Sequence, residues 1–464
     1  MKKKPFKPEV TDLDQAKEVI DFLWHRNIEL EDKLNQSSNN SSVPSSKNKP
    51  QHQHQTKKKK SDKLQGAQPG HKGSRRMLHP HDERMTVTMY KPASTCHCGG
   101  TVICHKKAHQ RFQIFDLPEL NYTVTEHQAY QGECSDCDEK YSASLPDTIS
   151  QTQMGTNLLS FIAIQSAVHH QSIAKIQSML NDIFGLYFSI GAISEAQGRV
   201  SNMLTPTHQA IHEQIKSADL IHADETSHQH NAEKRWMWVA LSKVSAFFQS
   251  NYFRNKEAAI KLLGEELDGV LITDQYSSYH YIDDSKRQLC WAHILRNVIA
   301  IAESLDSDNQ KIGHRLTLIA QSLFKTRHQY DDGRLSLAKY KRRMARLQQS
   351  WRKWTNQGCY QCSKRYKGRC LHLVKDDAML WTFLNNNAIP MTNNAAERVI
   401  RGFVIWRKCS YGVRSHRGEY FRQRIMSLVE TAKLNGMNPY LWVKTIVKAC
   451  IERTDYPIPK FLSG

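Results

Sequence analysis

The chain lacks any long apolar run. Across 464 residues no stretch approaches the roughly eighteen uncharged apolar residues that a membrane span needs, which excludes a helical membrane protein. The basic start Met1-Lys2-Lys3-Lys4 leads into no apolar segment either, so no secretory signal is expected and the reading is of a soluble, cytoplasmic protein. Negative charge is the other shortage. Against 65 Lys and Arg stand 45 Asp and Glu, a formal net charge of +20. The excess is clustered. Residues 57–76 carry eight Lys/Arg against one Asp, a local +7, and residues 325–369 carry fourteen against two, a local +12. Solvated surface charge is usually mixed in sign, whereas one-sided blocks suit a polyanion, because each neutralised phosphate releases a condensed counterion. A nucleic acid is therefore the expected partner.

Cysteine is present in an odd number, eleven, with several in C-x-C or C-x-x-C pairs. In a long cytosolic chain such pairs suggest metal ligation rather than disulfides. The length allows two to four domains.

Residues 11–36 read as an amphipathic helix. Leu13, Ile20, Asn27 and Leu34 fall at one heptad position and Ala16, Leu23 and Leu30 at the other, with Thr11 and Asp14 at capping-box spacing. Either a coiled-coil dimer or packing on the protein's own body would cover that stripe. Residues 37–89 follow as a basic, disordered linker, rich in Ser, Asn, Gln, Lys and Pro.

Residues 90–147 hold Cys96-His97-Cys98, Cys104 and Cys134-Ser135-Asp136-Cys137, with two short strands expected between Phe112 and Tyr130. Two knuckles so spaced describe a zinc-ribbon-like DNA-binding domain, with Cys96, Cys98, Cys134 and Cys137 as candidate Zn²⁺ ligands. The first pair is one residue short of C-x-x-C, so His97 or Cys104 could complete the site, or the metal is absent. Residues 154–218, apolar at helical spacing, read as a helical connector without chemistry of its own.

An α/β core is expected in two pieces, 219–304 and 386–436. Leu220 to Ala223 is an apolar run ending at Asp224; Trp236 to Leu241 and Ala246 to Phe253 read as strands. A helix at about 255–266 leads to the buried-type strand Gly269 to Thr273, which ends at Asp274. Arg287 to Trp291 is a further short strand before a helix from Ala292. Three strands, a helix, a strand, a helix and a strand is the order of an α/β ribonuclease-H-like sheet. Residues 305–385 interrupt it as a basic helical insertion, with Tyr340, Met344, Leu347, Trp351 and Trp354 at helical spacing. Its Cys359, Cys362, Cys370 and His372 are either a second zinc knuckle or free thiols. A last helical section begins at Asn393, a longer helix from about 418 to 435 closes the domain, and 437–464 reads as a tail.

Hard cations such as Mg²⁺ need carboxylate oxygens, and phosphoryl transfer commonly uses two of them. Asp224 and Asp274, each ending an apolar strand, are candidate ligands, because strand ends of an open sheet gather ligands. Taken alone, each is more commonly a turn or cap residue; both standing at the two expected strands favours ligands. Glu225 rivals Asp224, although adjacent strand residues face opposite ways. Glu397 either completes the set or folds back on Asn394, whose spacing fits a capping box. His293 either orients a ligand or is a satisfied core residue.

The stretches His222-Ala223-Asp224-Glu225-Thr226, Thr273-Asp274-Gln275-Tyr276-Ser277-Ser278-Tyr279, Cys290-Trp291-Ala292-His293 and Asn393-Asn394-Ala395-Ala396-Glu397-Arg398 resemble the insertion sequence 66 family of bacterial transposases. So do Glu430-Thr431-Ala432-Lys433-Leu434-Asn435-Gly436 and, near the N-terminus, Gln68-Pro69-Gly70-His71-Lys72-Gly73. The resemblance covers nearly the whole chain in order. It implies a ribonuclease-H-like catalytic domain with the acidic triad Asp224, Asp274 and Glu397 holding Mg²⁺ or Mn²⁺. The family usually has a C-x-x-C first knuckle, and Cys96-His97-Cys98 departs from it.

The implied activity is that of a DNA transposase. Water attacks a phosphodiester at the element's end, and the freed 3′-hydroxyl attacks target DNA at the same pair of metals. Arg398, Arg401, Arg407, Lys408 and, in the insertion, Lys341, Arg342 and Arg343 are the candidate DNA-binding residues. Cutting two DNA ends calls for at least a dimer, accessory proteins of the same element are candidate partners, and the protein would work at the nucleoid. A nuclease without strand transfer and a non-catalytic DNA-binding descendant are the competing readings.

Overall fold

The computed structural model describes residues 12–37, 85–108, 110–115, 120–145 and 153–462, with Leu78, Pro80, His81, Glu83, Leu117 and Ile149 singly. Most of the expected basic linker lies outside the described residues. The chain divides into two units, one of residues 1–54 and 126–464 and one of residues 55–125.

Helix α1 spans Leu13–Leu34. Asp12 caps it, its Oδ1 accepting from the N–H groups of Asp14 and Gln15 at 3.0 and 2.8 Å, which satisfies two of the free donors of the first turn. The expected capping pair was Thr11 and Asp14; Thr11 lies outside the described residues, and Asp14 is a donor to the cap rather than its partner. The heptad stripe Leu13, Ile20, Leu23, Leu30 and Leu34 is exposed. Near the helix end Asp32 is buried and accepts from Ser304 Oγ at 2.9 Å and from the Leu305 N–H at 3.2 Å.

Among the described residues between Phe112 and Tyr130 there is no strand, contrary to the alternation of apolar residues there. Phe112 and Ile114 are exposed, and an isolated strand with no partner leaves its ladder groups unpaired. The hairpin lies later, β1 (Gln131–Glu133) against β2 (Lys140–Ser142), and its turn carries Cys134 to Cys137.

Residues 154–218 are four helices, α2 (Thr156–Ala167), α3 (Ile173–Phe184), α4 (Ile190–Met203) and α5 (Thr205–Lys216). They are more than a connector. Ile162, Ile176, Ile193, Val200, Ile211 and Ile215 are fully buried and share one apolar core with the sheet. The caps are local chemistry: Ser172 accepts from Lys175 N–H and Ser189 from Ala192 N–H.

The five-stranded sheet follows: β3 (Leu220–His230), β4 (Glu233–Leu241), β5 (Ala246–Asn251), β6 (Val270–Thr273) and β7 (Arg287–Leu289), in the spatial order β5-β4-β3-β6-β7. β3 to β5 form an antiparallel meander, while β6 and β7 run parallel to β3. Helix α6 (Lys256–Leu263) makes the crossover from β5 to β6. Gly269 opens β6 where no side chain fits, since a Cβ there would stand 2.3 Å from the Ala218 carbonyl oxygen. β3 is longer than its apolar run suggested. Its parallel pairing to β6 stops at His222 with Ile272, but its antiparallel pairing to β4 continues to His230. Asp224 is thus mid-strand, beyond the end of β6.

Helix α7 (Trp291–Ala302) leads into the insertion, whose helices are α8 (Ser307–Asp331), α9 (Leu337–Gln361), α10 (Lys364–Lys375) and the short α11 (Asp377–Leu380). These build a second core on Trp291, Ile294 and Val298, with Tyr340, Met344 and Trp351 buried and Leu347 and Trp354 packed against it. Cys359, Cys362 and Cys370 are buried in that apolar interior, whereas His372 is exposed, and among the described residues the ligand atoms of these four do not gather within 4.8 Å of one another.

Three helices end the chain, α12 (Asn394–Ser410), α13 (His416–Leu434) and α14 (Pro439–Glu452). Helix α13 covers the edge strand. Ala246, Phe248 and Ser250 donate their N–H groups to Thr431 Oγ1, Ser427 Oγ and Gln423 Oε1 at 3.0, 2.8 and 3.0 Å. Alternate residues of β5 thereby meet every fourth residue of the helix, and the edge is closed. The expected tail contains α14, whose Trp442, Val443, Ile446 and Val447 are buried in the main core.

Candidate active site

The parallel strands β3 and β6 release their side chains at one end of the sheet, and helix α12 brings a third carboxylate there. Asp224 accepts only the Glu225 N–H, at 2.8 Å, and among the described residues no cation is paired with it. Burial raises its carboxyl well above the usual carboxylate range, and the negative charges of Glu225, Asp274 and Glu397 push it further. Asp274 and Glu397 thus lie close enough to Asp224 for their charges to act on it.

Asp274, first after β6, accepts the Tyr276 N–H at 2.9 Å, and its Oδ2 lies 4.0 Å from Arg254 Nη2. Glu397 sits one turn into α12. Its Oε1 is 3.3 Å from Arg296 Nη2 and 3.5 Å from His293 Nε2, both on α7. The carboxylate therefore faces α7 and does not fold back as a capping residue; the N-cap is Asn393, with no side-chain cap bond. His293 stands beside Glu397, its pKa lowered chiefly by burial and then by the Arg296 charge.

Glu225 has a different environment. One oxygen takes Nε and Nη2 of Arg254, the Nε at 2.7 Å, and the other takes the Tyr279 hydroxyl at 2.7 Å. Its side chain is only 1% exposed, so both oxygens are committed, while Asp224 keeps free lone pairs. That separates the two adjacent acids: Asp224 is the available ligand and Glu225 anchors Arg254.

Asn393 holds the third carboxylate to the first. Its Oδ1 meets His222 Nδ1 at 2.9 Å, its Nδ2 donates to the Ala223 carbonyl at 2.7 Å, and its N–H donates to Cys290 Sγ at 3.1 Å. One buried amide thus ties the start of α12 to the residues just before Asp224 and to the end of β7.

Of the basic candidates, Arg398, Arg401 and Lys408 are exposed along α12, and Arg407 donates to Thr226 Oγ1 of β3 at 2.8 Å. Lys341, Arg342 and Arg343 are exposed on α9 of the insertion, Arg343 reaching Gln329 Oε1 at 2.9 Å. The cysteine pairs lie on tight turns. In the smaller unit Cys96 N–H donates to the Gly100 carbonyl at 2.8 Å, and in the larger one Cys134 N–H donates to the Glu139 carbonyl at 2.9 Å. Backbone N–H groups pull the Cys98 and Cys134 thiols below their usual range, Gly100 acting on the first and Asp136 and Cys137 on the second. A lowered thiol pKa favours the thiolate, the form that binds metal.

Sequence reasoning missed Arg254, Arg296, Tyr279 and the bridging role of Asn393. The only signal for Arg254 was a single cation closing the aromatic run Phe247 to Phe253; Arg296 gave none, lying in an amphipathic helix.

Comparison with known proteins places these observations in a family. The model described as "Transposase IS66 family" matches residues 151–420. A model of a family of unknown function matches residues 5–77. A protein of Sinorhizobium fredii, designated uncharacterized protein y4hP, is 21% identical over 423 residues, covering 82% of this chain and 74% of its own length.

Proposed function

This chain belongs to the IS66 transposase family, and from that premise we propose that it cuts and joins DNA at Asp224, Asp274 and Glu397. A transposase acts on DNA, and the clustered +20 charge agrees with such a partner. The sheet order β5-β4-β3-β6-β7, with β4 antiparallel to β3 and β6 parallel to it, supports a ribonuclease-H-like catalytic domain.

The observation that carries the reading is the unpaired, charge-crowded carboxylate of Asp224. Four acids, Asp224, Glu225, Asp274 and Glu397, meet two guanidiniums, those of Arg254 and Arg296, which leaves a formal deficit of two positive charges (four minus two). A donor set made only of carboxylate oxygens suits a hard divalent cation. Asp224, Asp274 and Glu397 would hold Mg²⁺ or Mn²⁺. The chemistry supplied by such ions is activation of the attacking oxygen and stabilisation of the leaving one.

The chain's own residues do the positioning. Arg254, fixed by Glu225 and stacked on the Tyr276 ring at 3.5 Å, orients Asp274. Arg296 and His293 set the rotamer of Glu397. Arg398, Arg401, Arg407 and Lys408 lie on the helix that carries Glu397, where they can bind phosphates on either side of the reacting one. The basic face of α9, with Lys341, Arg342 and Arg343, would hold more distant DNA. Thiolate-bound Zn²⁺, a dimer built through α1 and accessory proteins of the same element belong to the same proposal.

The test is cleavage and strand transfer on labelled element-end DNA with Mg²⁺ or Mn²⁺. Wild type should nick and join only with metal, and Asp274→Asn should do neither while binding DNA as tightly or more so. Undiminished cutting by Asp274→Asn would refute the assignment. Nicking without joined products would instead favour a nuclease.

A further inference from the structure

Away from the carboxylates, at the far end of β3, the structure gathers a second set of ligand-type side chains. His230 ends β3, and His416 and Glu419 lie in the first turn of α13, 186 and 189 residues further on (416 − 230 and 419 − 230). Glu419 Oε2 is 3.1 Å from His230 Nδ1 and 3.6 Å from His416 Nδ1, and the three ligand atoms lie within 4.8 Å of one another. A tetrahedral Zn²⁺ with bonds of about 2.0–2.1 Å separates its ligands by about 3.3–3.4 Å, and the two measured distances straddle that value.

The surroundings are built rather than incidental. His230 is 5% exposed, and its Nδ1 has no hydrogen-bond partner of acceptable geometry although it faces the carboxylate. The other carboxylate oxygen, Oε1, is fixed by Ser250 Oγ at 2.5 Å and by His228 Nε2 at 3.3 Å. Arg235 Nη1 donates to Oε2 at 2.7 Å and stacks on the Tyr252 ring at 3.6 Å. Such outer partners hold a ligating carboxylate in place. Arg235 also places a positive charge beside any bound ion and weakens the site.

The backbone presses the two ligand-bearing segments together. Val413 N–H donates to the Gln229 carbonyl at 2.9 Å and Asn231 N–H to the Val413 carbonyl at 2.8 Å. At Gly412 φ is +108°, and a Cβ would stand 2.6 Å from the Gln229 carbonyl oxygen, so only glycine allows this approach. His416, with its side chain 63% exposed, leaves the cluster open to solvent and gives an ion both a path in and a free coordination position.

We propose that His230, His416 and Glu419 form a binding site for a borderline divalent cation of the Zn²⁺ class, separate from the carboxylate site. Two imidazoles and one carboxylate suit such an ion better than Mg²⁺. Bound there, it staples the end of β3 to the first turn of α13. It thereby fixes the segment Tyr411 to Ser415, which follows the helix carrying Glu397. The site stands whether or not the chain cuts DNA.

The test uses full-length protein stripped with chelator and titrated with Co²⁺, comparing wild type with His416→Ala. The exposed His416 side chain makes this variant foldable; a second variant, His416→Asn, is used should circular dichroism reveal a loss of structure. Wild type should retain one more equivalent of Co²⁺ than the variant after desalting, and that equivalent should lack the sulfur-to-metal charge-transfer band that cysteine ligands produce. Co²⁺ should also raise the melting temperature of wild type more than that of the variant. Equal Co²⁺ content in the folded proteins would overturn the proposal, as would a thiolate band on the lost equivalent.

Discussion

Replacing Asn393 by alanine tests how the third carboxylate is held. The wild-type amide is 1% exposed and serves two buried groups, the His222 ring nitrogen at 2.9 Å and the Ala223 carbonyl at 2.7 Å. His222 is 8% exposed and Ala223 1%, so neither regains water easily. An orphaned buried donor or acceptor costs about 1–3 kcal/mol, and two together give about 2–6 kcal/mol. Partial repair by one entering water favours about 3 kcal/mol. Asn394, next in sequence and exposed, is the control, and Asn394→Ala should stay within about 0.5 kcal/mol of wild type. The assay is denaturant unfolding followed by tryptophan fluorescence, since Trp238 and Trp291 are fully buried in the two cores. Activity should fall as well, because a displacement of about 1 Å at a reacting group can cost on the order of 10²-fold in rate. If Asn393→Ala unfolds no more easily than Asn394→Ala, the bridge does not carry the load assigned to it.

Two further outcomes follow from the same geometry. His208 Nε2 meets the Phe248 carbonyl at 3.0 Å, and burial, only partly offset by that bond, lowers its pKa from 6.5 to about 4. Its contribution is therefore complete above pH 6.5 and lost as pH falls toward 4; by 1.36 kcal/mol per unit it reaches at most about 3 kcal/mol, less with partial exposure. The stability difference between wild type and His208→Gln should shrink by up to that amount between pH 7 and pH 4, and a constant difference would refute the buried neutral ring. Changing Lys341, Arg342 and Arg343 together to Gln should reduce the slope of log K for duplex DNA against log salt by about 2.7, from about 0.9 per phosphate contact. An unchanged slope in a binding titration would remove α9 from the DNA surface.

The elements carried by local pattern were legible in the sequence. The apolar run before Asp274 is β6, the helical spacing of Tyr340, Met344 and Trp351 is the buried face of α9, and Asn393 opens a helix as read. What failed was whatever depends on partners. The alternation from Phe112 to Tyr130 has strand period but no strand beside it. The residues after 436 looked like a tail because Trp442, Val443, Ile446 and Val447 are spaced for a helix whose covering surface, on α2 and the sheet core, lies some 280 residues earlier in sequence (442 − 162). Asp224 and Glu225 could be separated only by their surroundings, since Arg254 and Tyr279 come from other elements. The cluster at Glu419 was invisible for the same reason: His416 and Glu419 share one helical turn, but His230 joins them only through the pairing of Val413 with the end of β3.

The electrostatics of the candidate active site follow from that division between local and distant partners. A carboxylate leaving water is costly unless a cation or several donors compensate it. Glu225 has both of its oxygens compensated and Glu397 has Arg296, but Asp224 has a single N–H and three negative neighbours. The fold does not relieve this crowding, because Asn393 draws the start of α12 against the strand residues just before Asp224 and so presents Glu397 to the same space one turn later. The four-residue interval from Asn393 to Glu397 therefore has a mechanical meaning rather than a capping one. The amide anchors the helix start to β3, and one turn is the distance over which the helix delivers its carboxylate to the sheet end. Within this chain the nearest cations, on Arg254 and Arg296, are already engaged by Glu225 and Glu397. Asp224 is left to take up a proton, as its raised pKa allows, or to share a cation from outside the polypeptide, and the second is the role given above to the proposed divalent ion.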